Sequence, residues 1–210
     1  MTAEKVVVVR TGTANLASVA AAFKRIGAEP VITEDRKTVE NAERLVLPGV
    51  GTLGASMERI AADGLADPLR DRVRAGRPTI AFCVGLQLLC ETSDESPGVR
   101  ALSVVPRHVG RFPSHLAVPQ FGWNKIIPQE GAKLLQEGYV YFANSYRVET
   151  PPEGWVSAMS DYGGPFVAAF EKGPVLACQF HPELSSTFGL ALLKRWFDAG
   201  AAGNNGGAAC

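Results

Sequence analysis

The sequence has no excess of charge of either sign. Its 210 residues contain 21 Lys and Arg against 21 Asp and Glu, so the formal net charge at pH 7 is zero. Proteins that bind nucleic acid through its phosphates need clustered Lys and Arg, because phosphate neutralisation supplies most of that affinity. The balance argues against a nucleic-acid partner, and a hydrophobic content of 46% excludes wholesale disorder.

Cysteine, histidine and long apolar runs are also scarce. The four cysteines follow no secretory signal, so we expect no disulfide framework and a reducing, cytoplasmic location. Apolar runs such as residues 6–9 are too short to cross a bilayer, so we expect no membrane association. The three histidines form no cluster at metal-ligand spacing, and neither a metal nor another cofactor is expected.

Strand and helix signals alternate through the first half of the chain. Short apolar runs predict strands at 6–9, 30–33, 45–47 and 79–82, and helical patterns occur at 16–26, 65–73 and 85–91. This alternation predicts an α/β protein with parallel strands joined by crossovers. From 102 to 177, β-prone runs separated by Pro and Gly predict antiparallel strands. A last helix is expected over 186–198, closing one domain at 5–198, and the Gly/Ala/Asn-rich residues 199–210 are expected to form a flexible tail.

Cys83 stands where an apolar strand runs into a helix. Gly85 follows two residues later and Ala81 lies two residues before, which is typical of a nucleophile elbow. The following helix N-terminus favours a thiolate and directs backbone N–H groups, such as that of Val84, at a developing oxyanion. A buried structural cysteine is the alternative interpretation of this residue alone. Cys90 and Cys178 lack this context and are expected in the core.

His181 and Glu183 follow another apolar strand. In an extended chain the two side chains point to the same side, about 6–7 Å apart. The carboxylate can then hold one ring nitrogen while the other faces a thiol, which predicts a triad in the order Cys83, His181, Glu183. Taken singly, a surface histidine and a solvated carboxylate are the simpler interpretations.

The segment PGVG at 48–51 follows the third predicted strand. The C-terminal ends of parallel strands share one edge of a sheet, where ligands bind. Its two glycines permit unusual backbone angles and a close approach to a ligand. After a peptide rotation, the N–H of Val50 could serve as a second oxyanion donor; a plain turn is the alternative.

Three ordered segments, PGVG at 48–51, AFCVGLQLL at 81–89 and QFHPE at 179–183, resemble the class I glutamine amidotransferases. The resemblance covers most of residues 5–198. It implies a flavodoxin-like α/β fold with a central, mostly parallel sheet flanked by helices and an additional antiparallel sheet in the second half. It further implies that glutamine is hydrolysed to glutamate and ammonia through a thioester on Cys83.

Within that family, residues 12–19, 118–124 and 141–146 are most similar to the glutaminase subunits of imidazole glycerol phosphate synthases. This implies a heterodimer with a (β/α)₈-barrel cyclase that uses the ammonia in histidine biosynthesis. The positions that match glutamine contacts are Gly51, Gln87, Ser145 and Tyr146. The positions implied to face the partner are Asn15, Trp123 and Tyr141.

Four positions depart from that subfamily's pattern. Ala81 replaces a glycine, Arg10 an acid, Asn144 a histidine and Leu184 a lysine that helps to dock the cyclase. The glutaminase subunit of pyridoxal 5′-phosphate synthase is an alternative, disfavoured by Gln87 and the GWN segment. A stand-alone γ-glutamyl hydrolase is a second alternative, and a non-catalytic binding protein is disfavoured by the intact triad.

Overall fold

The computed structural model describes residues 3–12, 15–49 and 51–202, with the backbone alone at 201–202. The strands are β1 (Lys5–Val9), β2 (Glu29–Thr33), β3 (Leu45–Leu47), β4 (Thr79–Phe82), β5 (Thr92–Ser93), β6 (His108–Arg111), β7 (Gln120–Pro128), β8 (Gly138–Asn144), β9 (Tyr146–Arg147), β10 (Val156–Asp161), β11 (Pro165–Lys172) and β12 (Val175–Cys178). The helices are α1 (Leu16–Arg25), α2 (Arg36–Asn41), α3 (Leu53–Ala62), α4 (Ala66–Arg74), α5 (Val84–Leu89) and α6 (Ser186–Ala202), with a 3₁₀ turn at Pro182–Leu184.

One large sheet runs through the described chain in the order β2-β1-β3-β4-β12-β11-β10-β7-β8. The pairs from β2 to β12 are parallel and those from β12 to β8 are antiparallel. The parallel part has the 2-1-3-4-5 strand order of flavodoxin-like folds. The predicted α/β class is confirmed. The antiparallel strands β7, β8, β10 and β11 continue the central sheet, and β5, β6 and β9 form a small separate sheet.

The parallel strands β1, β3, β4 and β12 are buried on both faces, as their continuous apolar runs predict, whereas the edge strand β2 is partly exposed. Alternate residues of β1 belong to different apolar layers: Val7 and Val9 face one, Val6 and Val8 the other. Trp196 of α6 is fully buried in the second layer, and its indole N–H donates to the carbonyl of Pro174 at 2.9 Å. The helices therefore cover both faces and hold the strand ends in register.

The sequence predicts one helix between β3 and β4, at 65–73, which is present as α4, but two helices were missed: α2, between β2 and β3, and α3, ahead of α4. Helix α3 begins after Thr52, whose hydroxyl accepts a hydrogen bond from the Ala55 N–H at 3.2 Å. Gly64, at φ +66°, separates α3 from α4. Helix α6 continues to Ala202, four residues beyond its expected end, and residues 203–210 of the expected tail lie outside the described residues.

The topology brings three loops to one edge of the sheet. Strands β3, β4 and β12 are adjacent and parallel, so the segments that follow Leu47, Phe82 and Cys178 leave the sheet side by side. This edge carries all three motifs found in the sequence. Among the described helices, none combines the length and apolarity needed to cross a bilayer.

Candidate active site

Cys83 occupies a strained turn between β4 and α5. Its backbone lies at φ 51° and ψ −110°, a conformation that residues other than glycine rarely adopt. Hydrogen bonds at both sides hold it there: the Cys83 N–H donates to the carbonyl of Cys178 at 2.7 Å, and the Leu86 N–H donates to the carbonyl of Cys83 at 3.0 Å. The predicted nucleophile elbow is therefore present, with the thiol side chain above the sheet edge.

Glycine at position 85 is required by close packing. A Cβ atom there would collide with the carbonyl oxygen of Leu47, and the Cβ of Ala81 would lie at 3.5 Å. Gly49 is similarly crowded, because an added Cβ would lie 2.7 Å from the Val84 Cβ. Small residues thus let β3, β4 and α5 approach closely enough to form the elbow.

His181 and Glu183 form a buried pair at the end of β12. The His181 Nδ1 and the Glu183 Oε1 lie 2.9 Å apart. The expectation of an extended chain at this point was wrong: residues 182–184 form a 3₁₀ turn, closed by the Leu184 N–H on the His181 carbonyl. Pro182 at the first position of that turn suits helical rather than extended backbone, and the turn folds the carboxylate back onto the ring.

The surroundings of His181 favour its protonated form. Burial by itself lowers the pKa of His181, but hydrogen bonds to Cys83 and Glu183, with the charges of both groups, outweigh it and raise the pKa to about 10. The second ring nitrogen is left for the thiol. Cys83, His181 and Glu183 are thus brought together in an arrangement that can form a thiolate–imidazolium pair.

A cavity of about 310 Å³ opens beside the thiol. Its lining contains seven residues singled out in the sequence: Gly51, Cys83, Val84, Gln87, Ser145, Tyr146 and His181. The volume suits a ligand of amino-acid size rather than a nucleotide or polymer. Glu183 does not line the cavity but contacts His181 through the ring nitrogen Nδ1.

Two polar residues of the site were missed in the sequence. Glu95 lines the cavity, and its Oε2 accepts a hydrogen bond from the Leu53 N–H at 2.8 Å at the start of α3. Gln179 is fully buried, and its Nε2 donates to the Cys83 Sγ at 3.7 Å. Glu95 sits in a loop without a motif, so no pattern marked it; Gln179 was visible only as a neighbour of His181.

Of the two backbone N–H groups expected to bind an oxyanion, only that of Val84 belongs to the described residues. The Val84 N–H, at the first residue of α5, donates to the carbonyl oxygen of Gly49 at 3.4 Å. Val50, the second expected donor, lies outside the described residues. The Val84 donor is thus in the predicted place, but a protein carbonyl is its present acceptor.

The three expected partner-facing residues lie at the surface or close to it. The Trp123 side chain on β7 is 52% exposed and packs edge-to-face on Tyr141 of β8, with ring centroids 6.0 Å apart. Ordinary core packing is therefore excluded for Trp123. Asn15 is exposed and caps α1, since its Oδ1 accepts from the Ser18 N–H at 3.3 Å.

The positions that depart from the subfamily's pattern keep the catalytic geometry intact. Asn144 lines the cavity and donates to the Tyr146 carbonyl at 2.9 Å. Leu184 is 43% exposed beside the turn, and Arg10 pairs with Glu34 at the surface. Ala81 leaves room for the elbow, as expected.

The other cysteines with described positions are structural. Cys90 and Cys178 are fully buried, as predicted, and burial raises the pKa of both thiols, to about 12 for Cys90. Over the described ranges, Cys, His, Asp and Glu form no group of three or more able to hold a metal ion. Of the described cysteines, only Cys83 lines the cavity.

Comparison with known proteins agrees with this geometry. The family "Glutamine amidotransferase class-I" matches residues 7–199. The "Imidazole glycerol phosphate synthase subunit HisH" of Methanothermobacter thermautotrophicus is 40% identical over 196 residues, 92% of this chain and 98% of the relative. Its namesake from Symbiobacterium thermophilum is 38% identical over 91% of this chain and 92% of the relative.

A solved structure described as "Crystal structure of glutamine amidotransferase" shares the fold. It superposes with a TM-score of 0.75 at 22% identity, covering 93% of this chain and 98% of that one. The chain therefore belongs to the class I glutamine amidotransferase family and, within it, to the imidazole glycerol phosphate synthase HisH subunits.

Proposed function

We propose that this chain hydrolyses glutamine at Cys83 and supplies the ammonia to a cyclase partner, as the glutaminase subunit of an imidazole glycerol phosphate synthase. The observation that carries the proposal is the Cys83–His181–Glu183 arrangement at the wall of a cavity of amino-acid size. Because the nucleophile must remain a free thiol, the reaction needs a reducing compartment such as the cytoplasm.

In the first half of the reaction the Cys83 sulfur attacks the side-chain carboxamide carbon of glutamine. The tetrahedral intermediate collapses with cleavage of its C–N bond, and the nitrogen takes the proton of the His181 imidazolium and leaves as ammonia. In the second half, neutral His181 takes a proton from water while the water oxygen attacks the thioester. Glutamate leaves, and the thiolate–imidazolium pair is restored.

Glutamine recognition rests on the lining of the cavity. Glu95 supplies a carboxylate that can pair with the α-ammonium of an amino acid. Gly51, Gln87, Ser145 and Tyr146 line the same space and offer backbone or side-chain polar groups for the remaining polar atoms. A free amino acid satisfies this set better than a peptide, because the cavity is small.

The partner surface is the outer face of the β7–β8 ribbon with the adjoining 3₁₀ turn. Its exposed apolar side chains are Phe121 (69%), Trp123 (52%), Ile127 (54%), Tyr139 (60%) and Leu184 (43%). An apolar aromatic cluster of this kind is typical of a protein interface. This surface also adjoins the catalytic centre, because the backbone N–H of His181 donates a hydrogen bond to the backbone carbonyl of Tyr141 at 3.0 Å. A cyclase docked on this surface would lie next to the site at which ammonia is released. Trp123 and Tyr141 belong to this surface, and Asn15 is the remaining residue expected to contact the cyclase.

Reconstitution with a (β/α)₈-barrel cyclase tests the proposal. We expect glutamine-dependent formation of imidazole glycerol phosphate by the pair, and none by the cyclase with Cys83→Ala. The Cys83→Ala complex should still form product from ammonium salts, because only the ammonia source is lost.

Two outcomes would contradict the proposal. Full glutamine-dependent synthesis with Cys83→Ala would remove the nucleophile from its assigned role. If the cyclase leaves the rate of glutamine hydrolysis unchanged but the partner subunit of a pyridoxal 5′-phosphate synthase raises it, the chain is instead the glutaminase subunit of that enzyme.

A further inference from the structure

Gln179 contacts the nucleophile from the side of β12. Its side chain is fully buried, and its backbone is anchored because the Gln179 N–H donates to the Ala168 carbonyl at 2.8 Å. From this fixed position the Nε2 reaches the Cys83 Sγ at 3.7 Å, within the range of an N–H···S hydrogen bond. The sulfur therefore lies between the amide of Gln179 and the ring of His181.

A second buried amide sets the direction of this bond. The Gln87 Nε2 donates to the Gln179 Oε1 at 3.1 Å. A carboxamide has its acceptor on one side and its donors on the other, so Gln179 can accept from Gln87 only while its NH₂ group faces the sulfur. Rotating the Gln179 amide would set NH₂ against NH₂ and oxygen against sulfur. In this arrangement Gln87 donates to Gln179 and Gln179 donates to Cys83, so the two donors form a chain that ends at the sulfur.

A donor in this position changes the chemistry of the sulfur. A thiolate accepts hydrogen bonds and gains stability from an N–H donor that is held in place. We propose that Gln179 positions and stabilises the Cys83 thiolate through its N–H···S bond, and that Gln87 holds the Gln179 amide in the donating orientation. This rests on the proposed role of Cys83 as nucleophile.

The test measures how the reactivity of the Cys83 thiol depends on pH, in the absence of both glutamine hydrolysis and the cyclase. Alkylation of Cys83 by iodoacetamide is followed between pH 4 and pH 10 by mass spectrometry of the Cys83 peptide, in the full chain without glutamine. The variants are Gln179→Met, which keeps the length but removes the donor, and Gln179→Glu, which replaces it with an acceptor. Gln129→Met is the matched control, because Gln129 accepts from the Ser157 N–H outside the cavity.

We expect the pH of half-maximal alkylation to rise by about one unit in Gln179→Met, from the typical strength of one hydrogen bond to a charged group, and further in Gln179→Glu. The other titratable groups facing the sulfur or its partner are His181, Glu183, Glu95 and Tyr146, and all are unchanged in these variants. Gln129→Met should follow the wild-type profile. Gln87→Met should shift the midpoint in the same direction by a smaller amount, because the Gln179 amide becomes free to rotate.

Superimposable profiles for wild type and folded Gln179→Met would overturn the inference and make the amide a space-filling group. If both Gln179 variants fail to fold, the Gln87→Met variant provides the test. A pH profile of alkylation in Gln87→Met that matches the wild-type profile would equally overturn the inference about Gln179. Neither result touches the proposed function, whose failure has a different signature: continued glutamine hydrolysis by Cys83→Ala.

Discussion

The backbone N–H of Val84 donates to the carbonyl oxygen of Gly49, with 3.4 Å between nitrogen and oxygen. Val84 follows the nucleophile directly, so its N–H lies where a tetrahedral oxyanion would need a donor. In this arrangement the Gly49 carbonyl competes for that donor. The bond is long and therefore weak, so a rotation of the peptide after Gly49 could release it at modest cost.

From this relationship we predict a low glutaminase rate for the isolated chain. Binding of the cyclase and its ligand should raise kcat about 100-fold or more, the range associated with one oxyanion donor, with a smaller change in KM. Steady-state glutamate release with and without the partner measures this. An isolated chain as active as the complex would show that the donor is already available.

Replacing the nucleophile should change the titration of its base. In Cys83→Ala the pKa of His181 should fall below its value of about 10, because the hydrogen bond and charge of the sulfur no longer favour the imidazolium. NMR titration of the ring protons can follow this, since the chain has only three histidines. His108, paired with Asp94 at the surface, serves as the internal control. An unchanged His181 titration would mean that the thiol and the ring are uncoupled.

The same pKa fixes the sign of a stability effect. The pKa of His181 in the folded chain lies above the 6.5 of an ordinary histidine. Its proton therefore contributes stability that is complete below about pH 6.5 and is lost as the pH rises toward 10. The difference in unfolding free energy between wild type and His181→Asn should shrink over that interval in urea titrations. A difference that grows with pH would contradict the direction of the shift.

The elbow should not tolerate a side chain at position 85. Gly85→Ala places a methyl group against the Leu47 carbonyl, so we expect a loss of about 3 kcal/mol in unfolding free energy, at the upper end for overpacking. Gly110→Ala is the control, because there the nearest atom to an added Cβ lies 3.8 Å away. Chemical denaturation compares the two variants. Equal stability would show that β3 and α5 can separate without cost.

Glu95 should act on substrate binding rather than on chemistry. Glu95→Gln keeps an oxygen for the Leu53 N–H but removes the charge that would pair with the α-ammonium of glutamine. We expect KM to rise about 10- to 100-fold with a smaller effect on kcat, as for a lost charged hydrogen bond. Glu153→Gln, outside the cavity, should leave both constants unchanged. A fall in kcat alone would assign Glu95 a different role.

Trp123 should dominate the contact with the cyclase. Trp123→Ala should weaken the complex about 30-fold, the effect of a typical aromatic hot spot, while the isolated chain keeps its basal rate. Ile127→Ala is the comparison variant: Ile127 is equally exposed on the same face of β7 but lies about 13 Å further along the strand, away from the catalytic centre, so its loss should weaken the complex less. Titration calorimetry compares the two affinities. Equal losses would move the centre of the interface away from Trp123.

Much of the site could be predicted from local pattern. The strand, the turn and the helix around Cys83 are encoded within ten residues, and small residues at 81 and 85 are needed wherever such an elbow forms. Cavity residues without a local signature were harder. Glu95 comes from a loop beside α3, and nothing in its neighbourhood marks it as a lining residue.

His181 and Glu183 make the predicted contact, but the backbone geometry that brings them together differs from the predicted one. An extended chain was expected, yet a 3₁₀ turn makes the contact, because Pro182 favours the first turn of a helix and the Ser185 hydroxyl donates to the His181 carbonyl at 2.6 Å. Sequence spacing limits which side chains can meet, but the φ and ψ angles between them decide how.

The sequence by itself determined the α/β class, the elbow at Cys83 and the pairing of His181 with Glu183 as candidate base and carboxylate, because these depend on periodicity and short-range spacing. Only the tertiary structure decided the rest. Parallel pairing of β4 with β12 brings Cys83 and Gln179, 96 residues apart in the chain, into contact. Parallel pairing of β3 with β4 sets the Gly49 carbonyl against the Val84 N–H. These contacts join distant segments through sheet register and packing, which no local pattern records.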